Sequence, residues 1–245
     1  MSVLSFRDVW VEYGDKIVLE KVTLDVAEGS FVSIVGPSGA GKSTFLRLVL
    51  GQESPSRGRI DLDGEPLRPE PGPDRGVVFQ KYSVFPHMTV LKNVMFGVQC
   101  RGRGRTARDE AAEMLRHVGL GDNLDAYPSA LSGGMQQRLA IAQALITHPR
   151  ILLLDEPFGA LDPGVRLDMH ELITALWREH GLTVLMVTHD IKEAFKLGTR
   201  VIAIDKRRRD PQAPHRYGST AVYDFPLEKK TAIPKALTEM VGTAA

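Results

Sequence analysis

The sequence contains a single cysteine, Cys100, so no disulfide can form within one chain. This scarcity of cysteine is typical of proteins in a reducing compartment. Long apolar runs are also missing, since no stretch approaches the roughly 20 residues needed to cross a bilayer. The first residues, MSVLSFRDVWVEYG, lack the basic segment and apolar core of a signal peptide. We therefore expect any association with a membrane to depend on a partner.

The chain carries no marked excess of charge of either sign. Its 31 lysines and arginines nearly balance 30 aspartates and glutamates, which leaves a formal net charge of +1. This balance provides no overall attraction to nucleic acid or to an acidic membrane surface, and we interpret the basic run 206–209 as a solvated loop. With 245 residues, 43% of them hydrophobic, the chain can bury a large core as one domain or as a domain with a subdomain.

Hydrophobic periodicity predicts an α/β fold. Residues 4–13 and 21–29 alternate like antiparallel strands, and 59–67 has the pattern of a strand and turn. Nearly continuous apolar runs, typical of buried parallel strands, occur at 31–36, 76–80, 151–157, 183–190 and 200–205. Between about 88 and 147 only helical periodicity is present, at 106–119 and 135–147, which predicts an inserted helical subdomain.

The strongest chemical signal is GPSGAGKST at 36–44. Its glycines frame a loop of backbone N–H groups that can wrap a triphosphate, Lys42 adds a cation between the outer phosphates, and the Ser43 hydroxyl can bind Mg²⁺. The motif follows a predicted strand and opens a helix, which is the context that it requires. The predicted ATP-binding residues of this loop are Gly36, Pro37, Ser38, Gly39, Ala40, Gly41, Lys42, Ser43 and Thr44.

The acidic pair in ILLLDEP, at 151–157, supplies what the phosphate loop lacks. Asp155, at a strand end, can hold Mg²⁺ through water, and Glu156 can orient or deprotonate an attacking water molecule. By itself such a pair could serve only to cap the following turn. The phosphate loop in the same chain makes the catalytic interpretation the stronger one.

A second candidate anion site is LSGGMQQ, at 131–137. Ser132 stands at the N-cap position of a helix and is followed by Gly133 and Gly134. Glycines disfavour helices, but they allow a ligand to approach the backbone closely. The N–H groups of a helix start can bind a terminal phosphate, so one chain has two phosphate-binding motifs.

With these motifs the chain resembles the ATP-binding subunit of an ABC transporter, up to about residue 205. The resemblance implies a P-loop NTPase cassette with a mostly parallel core sheet, an antiparallel β subdomain and an inserted helical subdomain. It also implies that LSGG of one subunit binds the γ-phosphate of ATP held by the phosphate loop of a second subunit. The chain is thus divided into a cassette at 1–205, with its helical subdomain at about 88–147, and a tail at 206–245 whose structure is not predicted.

The resemblance implies further roles, position by position. Tyr13 matches an aromatic ring that lies against adenine, although an exposed turn tyrosine is the alternative. Gln80 matches a glutamine that touches Mg²⁺ and the attacking water, and His189 matches a histidine that contacts the γ-phosphate. Asp162, in GALD, matches a loop that crosses to the other subunit. The implied catalytic residues are therefore Glu156, His189, Gln80 and Lys42, and the implied Mg²⁺ ligands are Ser43, Gln80 and Asp155.

Two positions depart from the family pattern, and two segments indicate a subgroup. Met135 and Gln143 stand where the family commonly has glutamine and arginine. Segments 72–94 and 156–162 closely resemble importers of nitrate, sulfonate and taurine. That resemblance implies a groove for a coupling helix of a membrane subunit, although its residues could equally form the core of the helical subdomain; the candidate walls are Tyr82, Phe85, Pro86 and Met88.

The resemblance implies a homodimeric ATPase that uses ATP and Mg²⁺ at the cytoplasmic face of the membrane. Its implied partners are two integral membrane permease subunits and an extracytoplasmic solute-binding protein, with no nucleic acid. The solute that the resemblance implies is a nitrate-, sulfonate- or taurine-like compound. The tail sequence leaves a small nitrogen compound as an alternative. The alternative is a soluble ABC ATPase acting on nucleic acid or ribosomes, but the chain lacks the coiled-coil insertion or second cassette usual there. A small-molecule kinase would explain neither LSGGM nor the acidic pair.

Overall fold

The computed structural model describes residues 2–81, 83–100, 102, 106–213, 215–227 and 233–242. Its strands are β1 (Ser2–Tyr13), β2 (Lys16–Ala27), β3 (Phe31–Val35), β4 (Arg57–Leu62), β5 (Glu65–Pro66), β6 (Arg75–Val78), β7 (Ile151–Asp155), β8 (Thr183–Val187), β9 (Arg200–Lys206) and β10 (Ser219–Pro226). Its α-helices are α1 (Lys42–Leu50), α2 (Val90–Cys100), α3 (Ala107–His117), α4 (Gly133–Leu145), α5 (Pro163–His180), α6 (Ile191–Leu197) and α7 (Lys235–Gly242).

The chain divides into two compact units, residues 1–72 with 181–245 and residues 73–180. Parallel and antiparallel strands with intervening helices confirm the predicted α/β class. In the described residues, no helix is both long and apolar enough to cross a membrane.

In the first unit, the sheet combines parallel pairing around β3 with antiparallel pairing around β1. Strand β3 pairs in parallel with β8, with Phe31 opposite Val184, and with β9, with Val35 opposite Ala203. Every residue of β3 and β8 is buried, which explains their continuous apolar runs. Strand β1 pairs antiparallel with β2 and with β4. Helix α1 packs on β1, where the rings of Phe6 and Phe45 stack 4.5 Å apart.

The tail contains regular structure that its sequence does not predict. Strand β10 pairs antiparallel with β9 over most of its length and meets β2 in parallel at Ser219. Leu237 of α7 is fully buried in a cluster with Val35, Ala194 and Val201. Residues 207–209 of the basic run are exposed, as expected for a solvated loop, and Arg208 also forms an ion pair with Glu20 and lies over the Tyr217 ring.

In its described residues, the second unit combines a parallel strand pair with four α-helices. Strand β6 pairs with β7, with Val78 opposite Leu154, and both strands are largely buried. Helices α2, α3 and α4 occupy the region predicted to be helical, and its described residues contain no strand. Helix α2 has no counterpart among the predicted periodic segments. On α5, Met169, Ile173 and Leu176 are buried.

Among the element boundaries that differ from the sequence prediction, two have a physical reason that the structure shows. Strand β2 begins at Lys16, rather than at residue 21, because a tight turn at Gly14 lets Lys16 pair directly with Tyr13. Helix α4 begins at Gly133, rather than at residue 135, because the Ser132 side chain caps it.

Candidate functional site

The phosphate loop of the first unit joins the buried strand β3 to helix α1. Gly41 has φ of 86°, a left-handed conformation that favours glycine, and directly precedes α1. A Cβ atom at Gly36 would lie 2.3 Å from the carbonyl oxygen of Ile204, so only glycine fits there. The first turn of α1 contains no acidic residue. The helix dipole and exposed N–H groups at this end therefore favour an anion.

Lys42 is held inside this loop. Its side-chain nitrogen donates to the carbonyl oxygens of Gly36, at 2.8 Å, and of Pro37, at 3.0 Å. The residue is 8% exposed. Because these bonds fix a long flexible side chain, its cation is already positioned within the loop. Ser38, Gly39 and Ser43 are exposed, whereas Ala40 and Thr44 are buried.

Tyr13, the predicted adenine-stacking residue, is 48% exposed at the end of β1. Its hydroxyl donates to Glu53, and Arg47 pairs with the same carboxylate at 3.2 Å. Burial, and then the bond to Glu53, raises the pKa of the Tyr13 hydroxyl. Arg47 also donates to the Thr44 hydroxyl at 3.0 Å. This chain of contacts ties the exposed ring to α1, although no sequence motif indicates Glu53 or Arg47.

His189 is exposed two residues beyond the end of β8. Since β8 pairs in parallel with β3, His189 and the phosphate loop both follow the carboxyl ends of neighbouring strands, where ligands bind in open α/β sheets. Thr188 fixes the turn, because its hydroxyl donates to Glu193 at 2.7 Å and accepts from the Asp190 N–H. Asp190 caps α6 by accepting from the Glu193 N–H. The D-x-x-E spacing of a capping box is a sequence signal for this support.

In the second unit, Gln80 and Glu156 lie together. The Gln80 amide nitrogen is 3.4 Å from a Glu156 carboxylate oxygen. Gln80 follows β6, and Glu156 directly follows Asp155, the last residue of the neighbouring parallel strand β7. Glu156 has φ of 46°, a left-handed conformation that is strained for a residue other than glycine. Such strain is often found at functional sites.

The LSGGM segment begins helix α4. The Ser132 hydroxyl accepts a hydrogen bond from the Met135 N–H at 3.3 Å, so Ser132 is the N-cap predicted from the sequence. Ser132 and Gly133 are exposed, and the first turn has no acidic residue. Gly134 is buried, and a Cβ atom there would lie only 2.5 Å from the Val165 side chain of α5. Packing against α5 is thus a reason for this glycine that the sequence does not reveal.

The predicted site residues divide between the two units. Tyr13, the phosphate loop and His189 belong to the first unit, whereas Gln80, Ser132, Gly133, Gly134, Asp155, Glu156 and Asp162 belong to the second. Asp162 is exposed, and its carbonyl oxygen accepts from the Arg166 N–H at the start of α5.

An apolar cleft of about 580 Å³ lies beside α2 in the second unit. Phe85 and Met88 are half-buried, Pro86 is exposed, and Tyr82 lies outside the described residues. The Phe85 ring meets the Phe96 ring edge to face at 5.1 Å. Phe85 and Pro86 do not line the cleft themselves. Its lining combines apolar residues with polar residues and charges of both signs, including Met88, Leu91, Met95, Phe96, Gln99, Lys92, Arg108 and Asp125.

Comparison with known proteins gives several extended similarities. Residues 19–159 match the ABC transporter family. The chain is 44% identical over 231 residues to a protein of Brucella abortus provisionally named as an ATP-binding protein. The aligned region covers 94% of this chain and 86% of that protein. It is 48% identical over 215 residues to the aliphatic sulfonates import ATP-binding protein of Burkholderia ambifaria, covering 87% and 65% of the two chains. It is 46% identical over 195 residues to the nitrate import ATP-binding protein of Synechocystis, covering 79% and 73%.

Solved structures give the same result. A dimeric ATP-binding cassette in a post-hydrolysis state with ADP and Pi has a TM-score of 0.75 and 32% identity, over 93% of this chain and 100% of that one. A component of an ABC transporter complex from Clostridium perfringens has a TM-score of 0.79 and 26% identity, over 92% and 88%. These similarities confirm the predicted P-loop NTPase cassette fold and the resemblance to import subunits. The chain belongs to the ABC transporter family and is one of its ATP-binding cassettes.

Proposed function

We propose that this chain is the ATP-hydrolysing subunit of an ABC importer and works as a homodimer on two integral membrane permease subunits. The single observation that carries the hydrolytic role is the contact between the Gln80 amide and the Glu156 carboxylate at the ends of parallel strands. The names of two relatives, which import aliphatic sulfonates and nitrate, support the importer role. They do not favour the alternative of a soluble ATPase acting on nucleic acid or ribosomes.

The first unit binds the nucleotide in this proposal. The backbone N–H groups of residues 38–44 surround the phosphates, and Lys42 exchanges its loop carbonyls for phosphate oxygens. Tyr13 stacks on adenine, since its ring is exposed and held from one end by Glu53. His189 contacts the γ-phosphate from the turn that Thr188 and Glu193 hold in place.

Mg²⁺ fits the donor chemistry of the predicted ligands. Ser43, Gln80 and Asp155 offer a hydroxyl, an amide and a carboxylate oxygen, which are the hard ligands that this ion prefers. The Gln80 amide nitrogen faces Glu156, so its carbonyl oxygen remains an acceptor. When bound with ATP, Mg²⁺ would neutralise charge that develops on the phosphates.

Glu156 acts as the general base in this proposal. Its carboxylate accepts a proton from the attacking water, and the Gln80 amide orients that carboxylate. The left-handed φ of Glu156 sets the direction of its Cα–Cβ bond, and the Gln80 contact holds the carboxylate before any ligand binds. The residue therefore needs little reorganisation during the reaction.

The exposed start of α4 completes the site of a second copy. Ser132 and the N–H group of Gly133 present donors without an acidic neighbour in the first turn. Asp162, on an exposed loop, crosses toward the partner copy. The structural relative with ADP and Pi is itself dimeric, which supports the homodimer proposal.

The assembly lies on the cytoplasmic face of the membrane and receives solute from an extracytoplasmic solute-binding protein through the permease. The apolar cleft beside α2 accepts a short helix of the permease, because Phe96 in its wall is 42% exposed and Met88 and Met95 are only half-buried. The solute is a small polar compound, either a nitrate-, sulfonate- or taurine-like anion or a small nitrogen compound. The sulfonate and nitrate relatives support the anion class.

The catalytic role of Glu156 is testable with Glu156→Gln. An amide cannot accept the proton of the attacking water, so we expect the turnover rate to fall by about 10²-fold or more. ATP affinity should stay near the wild-type value, because the phosphate loop is unchanged. ATP turnover and equilibrium ATP binding of the purified chain measure the two effects.

Glu171→Gln is the matched control, since it makes the same charge change at an exposed position of α5. We expect its turnover to equal that of the wild type. Turnover of Glu156→Gln within twofold of this control would contradict the general-base role.

A further inference from the structure

Asn93 of α2 is only 1% exposed, and its side-chain amide holds the loop 85–89. Its side-chain nitrogen donates to the carbonyl oxygens of Phe85, Met88 and Thr89, each at 3.0 Å. Its side-chain oxygen accepts from the Phe85 N–H at 2.7 Å. One buried amide therefore satisfies several backbone groups of a loop that has no regular structure of its own.

Gln143 of α4 completes this arrangement. Its side-chain nitrogen donates to the Asn93 side-chain oxygen at 3.1 Å and lies 3.4 Å from the Asn93 carbonyl oxygen. The Asn93 oxygen thus accepts from two N–H donors, while its nitrogen faces three carbonyl oxygens. A flipped Asn93 amide would oppose donor to donor and acceptor to acceptor. Gln143 consequently helps to fix the one orientation that holds the loop.

These contacts link two parts of the second unit that the proposed function uses. Helix α4 begins at the Ser132 cap, and Gln143 lies 11 residues later, which corresponds to about 16 Å along a rigid helix. The loop 85–89 provides part of the apolar cleft, and α2 provides most of the rest. Gln143 and Asn93 therefore form a hydrogen-bonded path from α4 to the wall of the cleft.

We propose that Gln143 is a positioning residue that couples the start of α4 to the membrane-subunit cleft by holding Asn93 and the loop 85–89. The coupling part of this inference rests on the proposed function, whereas the holding of the loop does not. The departure of Gln143 from the arginine common at this position in the family thereby gains a physical account. An uncharged donor of this length matches the neutral, buried Asn93 amide.

Three substitutions at Gln143 separate hydrogen bonding from packing. Gln143→Leu removes the donor, Gln143→Glu replaces it with an acceptor of almost the same shape, and Gln143→Lys keeps a donor. We expect amide hydrogen exchange of 85–89 to rise about five- to tenfold in the first variant, on the scale of one lost hydrogen bond. The rise should be larger in Gln143→Glu and smallest in Gln143→Lys.

Gln136→Leu is the matched control on the same helix. Gln136 donates to the carbonyl oxygens of Pro128 and Leu131 and not to the loop 85–89. We expect exchange of 85–89 to be unchanged in this variant. Equal exchange in Gln143→Glu and the wild type, or the same rise in the Gln136→Leu control, would overturn the positioning role.

The coupling is measured with the complex purified from native membranes through a tagged chain. We expect Gln143→Glu to retain about five- to tenfold less membrane subunit than the wild type, on the scale of one lost contact, with ATP affinity of the isolated chain unchanged. Faster exchange together with wild-type retention and solute uptake would overturn the coupling. If the wild type itself retains no membrane subunit, the importer proposal fails, while hydrogen exchange still decides the holding of the loop.

Discussion

At the scale of single residues, the glycines of the site serve different physical needs. Gly41 is needed for its left-handed backbone, and Gly36 is needed because a carbonyl oxygen lies where its Cβ would be. Gly134 is needed because α5 approaches it closely. Glycine at these motif positions is therefore needed either for its backbone conformation or for close packing, depending on the neighbours of each residue.

Gly134→Ala tests the packing role of Gly134. The added Cβ would lie 2.5 Å from the Val165 side chain, so we expect a loss of about 1–3 kcal/mol in the free energy of unfolding. The melting temperature of the purified chain should then fall by about 2–4 °C for each kcal/mol. Adding Val165→Ala makes room for the new methyl group and should recover most of the loss.

Gly164→Ala is the control for this substitution, because nothing lies within 4 Å of a Cβ at that position. We expect no loss of stability there. An unchanged melting temperature in Gly134→Ala would refute the packing role and leave ligand approach as the reason for this glycine.

At the scale of elements, the tail is integrated into the first unit. Arg200 of β9 holds Asp224 of β10 with two hydrogen bonds, at 2.7 and 2.5 Å, and this bond raises the pKa of the Arg200 guanidinium. Leu237 of α7 is buried against the same sheet. Strand β10 lies between β2 and β9, so the sheet of the first unit includes residues beyond the cassette predicted at 1–205.

The substitution Phe96→Asp, on helix α2, tests whether the cleft binds a membrane subunit. Phe96 is 42% exposed, so we expect the isolated chain to lose only about 1 kcal/mol, mainly through the ring contact with Phe85. Retention of membrane subunits in the complex should fall strongly, because a charge then faces the apolar wall. Thermal unfolding and subunit retention are the two measurements.

Leu167→Asp is the matched control, since Leu167 is 52% exposed on α5 and does not line the cleft. We expect it to retain the membrane subunits. A loss of several kcal/mol in the Phe96 variant would support the alternative that this region is a core of the helical subdomain.

At the scale of the whole molecule, an association of two copies explains why the chain has two phosphate-binding motifs. In the proposed two-fold dimer, each site would combine the loop of one copy with the LSGG segment of the other. Both motifs have exposed residues at the start of a helix whose first turn lacks acidic residues. Each is therefore suited to bind phosphate from its own side.

A mixed dimer tests this arrangement. Lys42→Ala damages the phosphate loop, and Ser132→Arg places bulk and charge at the start of α4. Each homodimer has two damaged sites, but a mixed dimer collects both defects in one site and leaves the other intact. We expect ATP-dependent closure to recover, with ATP turnover up to about half of the wild-type rate if the sites act independently.

Differently tagged chains establish that mixed dimers are present, and cross-linking measures closure separately from turnover. Mixtures prepared without exchange of subunits provide the background. Closure and turnover that stay at this background in proven mixed dimers would contradict the composite site, because a site built within one chain leaves both sites damaged.

The sequence by itself determined the motifs, because their chemistry depends on neighbours a few residues away. Lys42 follows its glycines directly, Glu156 directly follows an apolar strand, and Ser132 caps the helix that it precedes. Continuous apolar runs likewise marked β3 and β8, since both faces of these strands are covered. Local spacing was sufficient for these features, and it also carried the family resemblance.

Only the tertiary structure decided the contacts between residues far apart in the chain. Gln143 meets Asn93 across 50 positions, and Tyr13 meets Glu53 across 40, so neither pair produces a local pattern. Strand β10 was hidden because its pairing with β9, rather than strong alternation of its own residues, makes it a strand. The packing reason for Gly134 depends on Val165 in another helix. These features arise from which surfaces meet on folding, and a single sequence specifies that only through the complete fold.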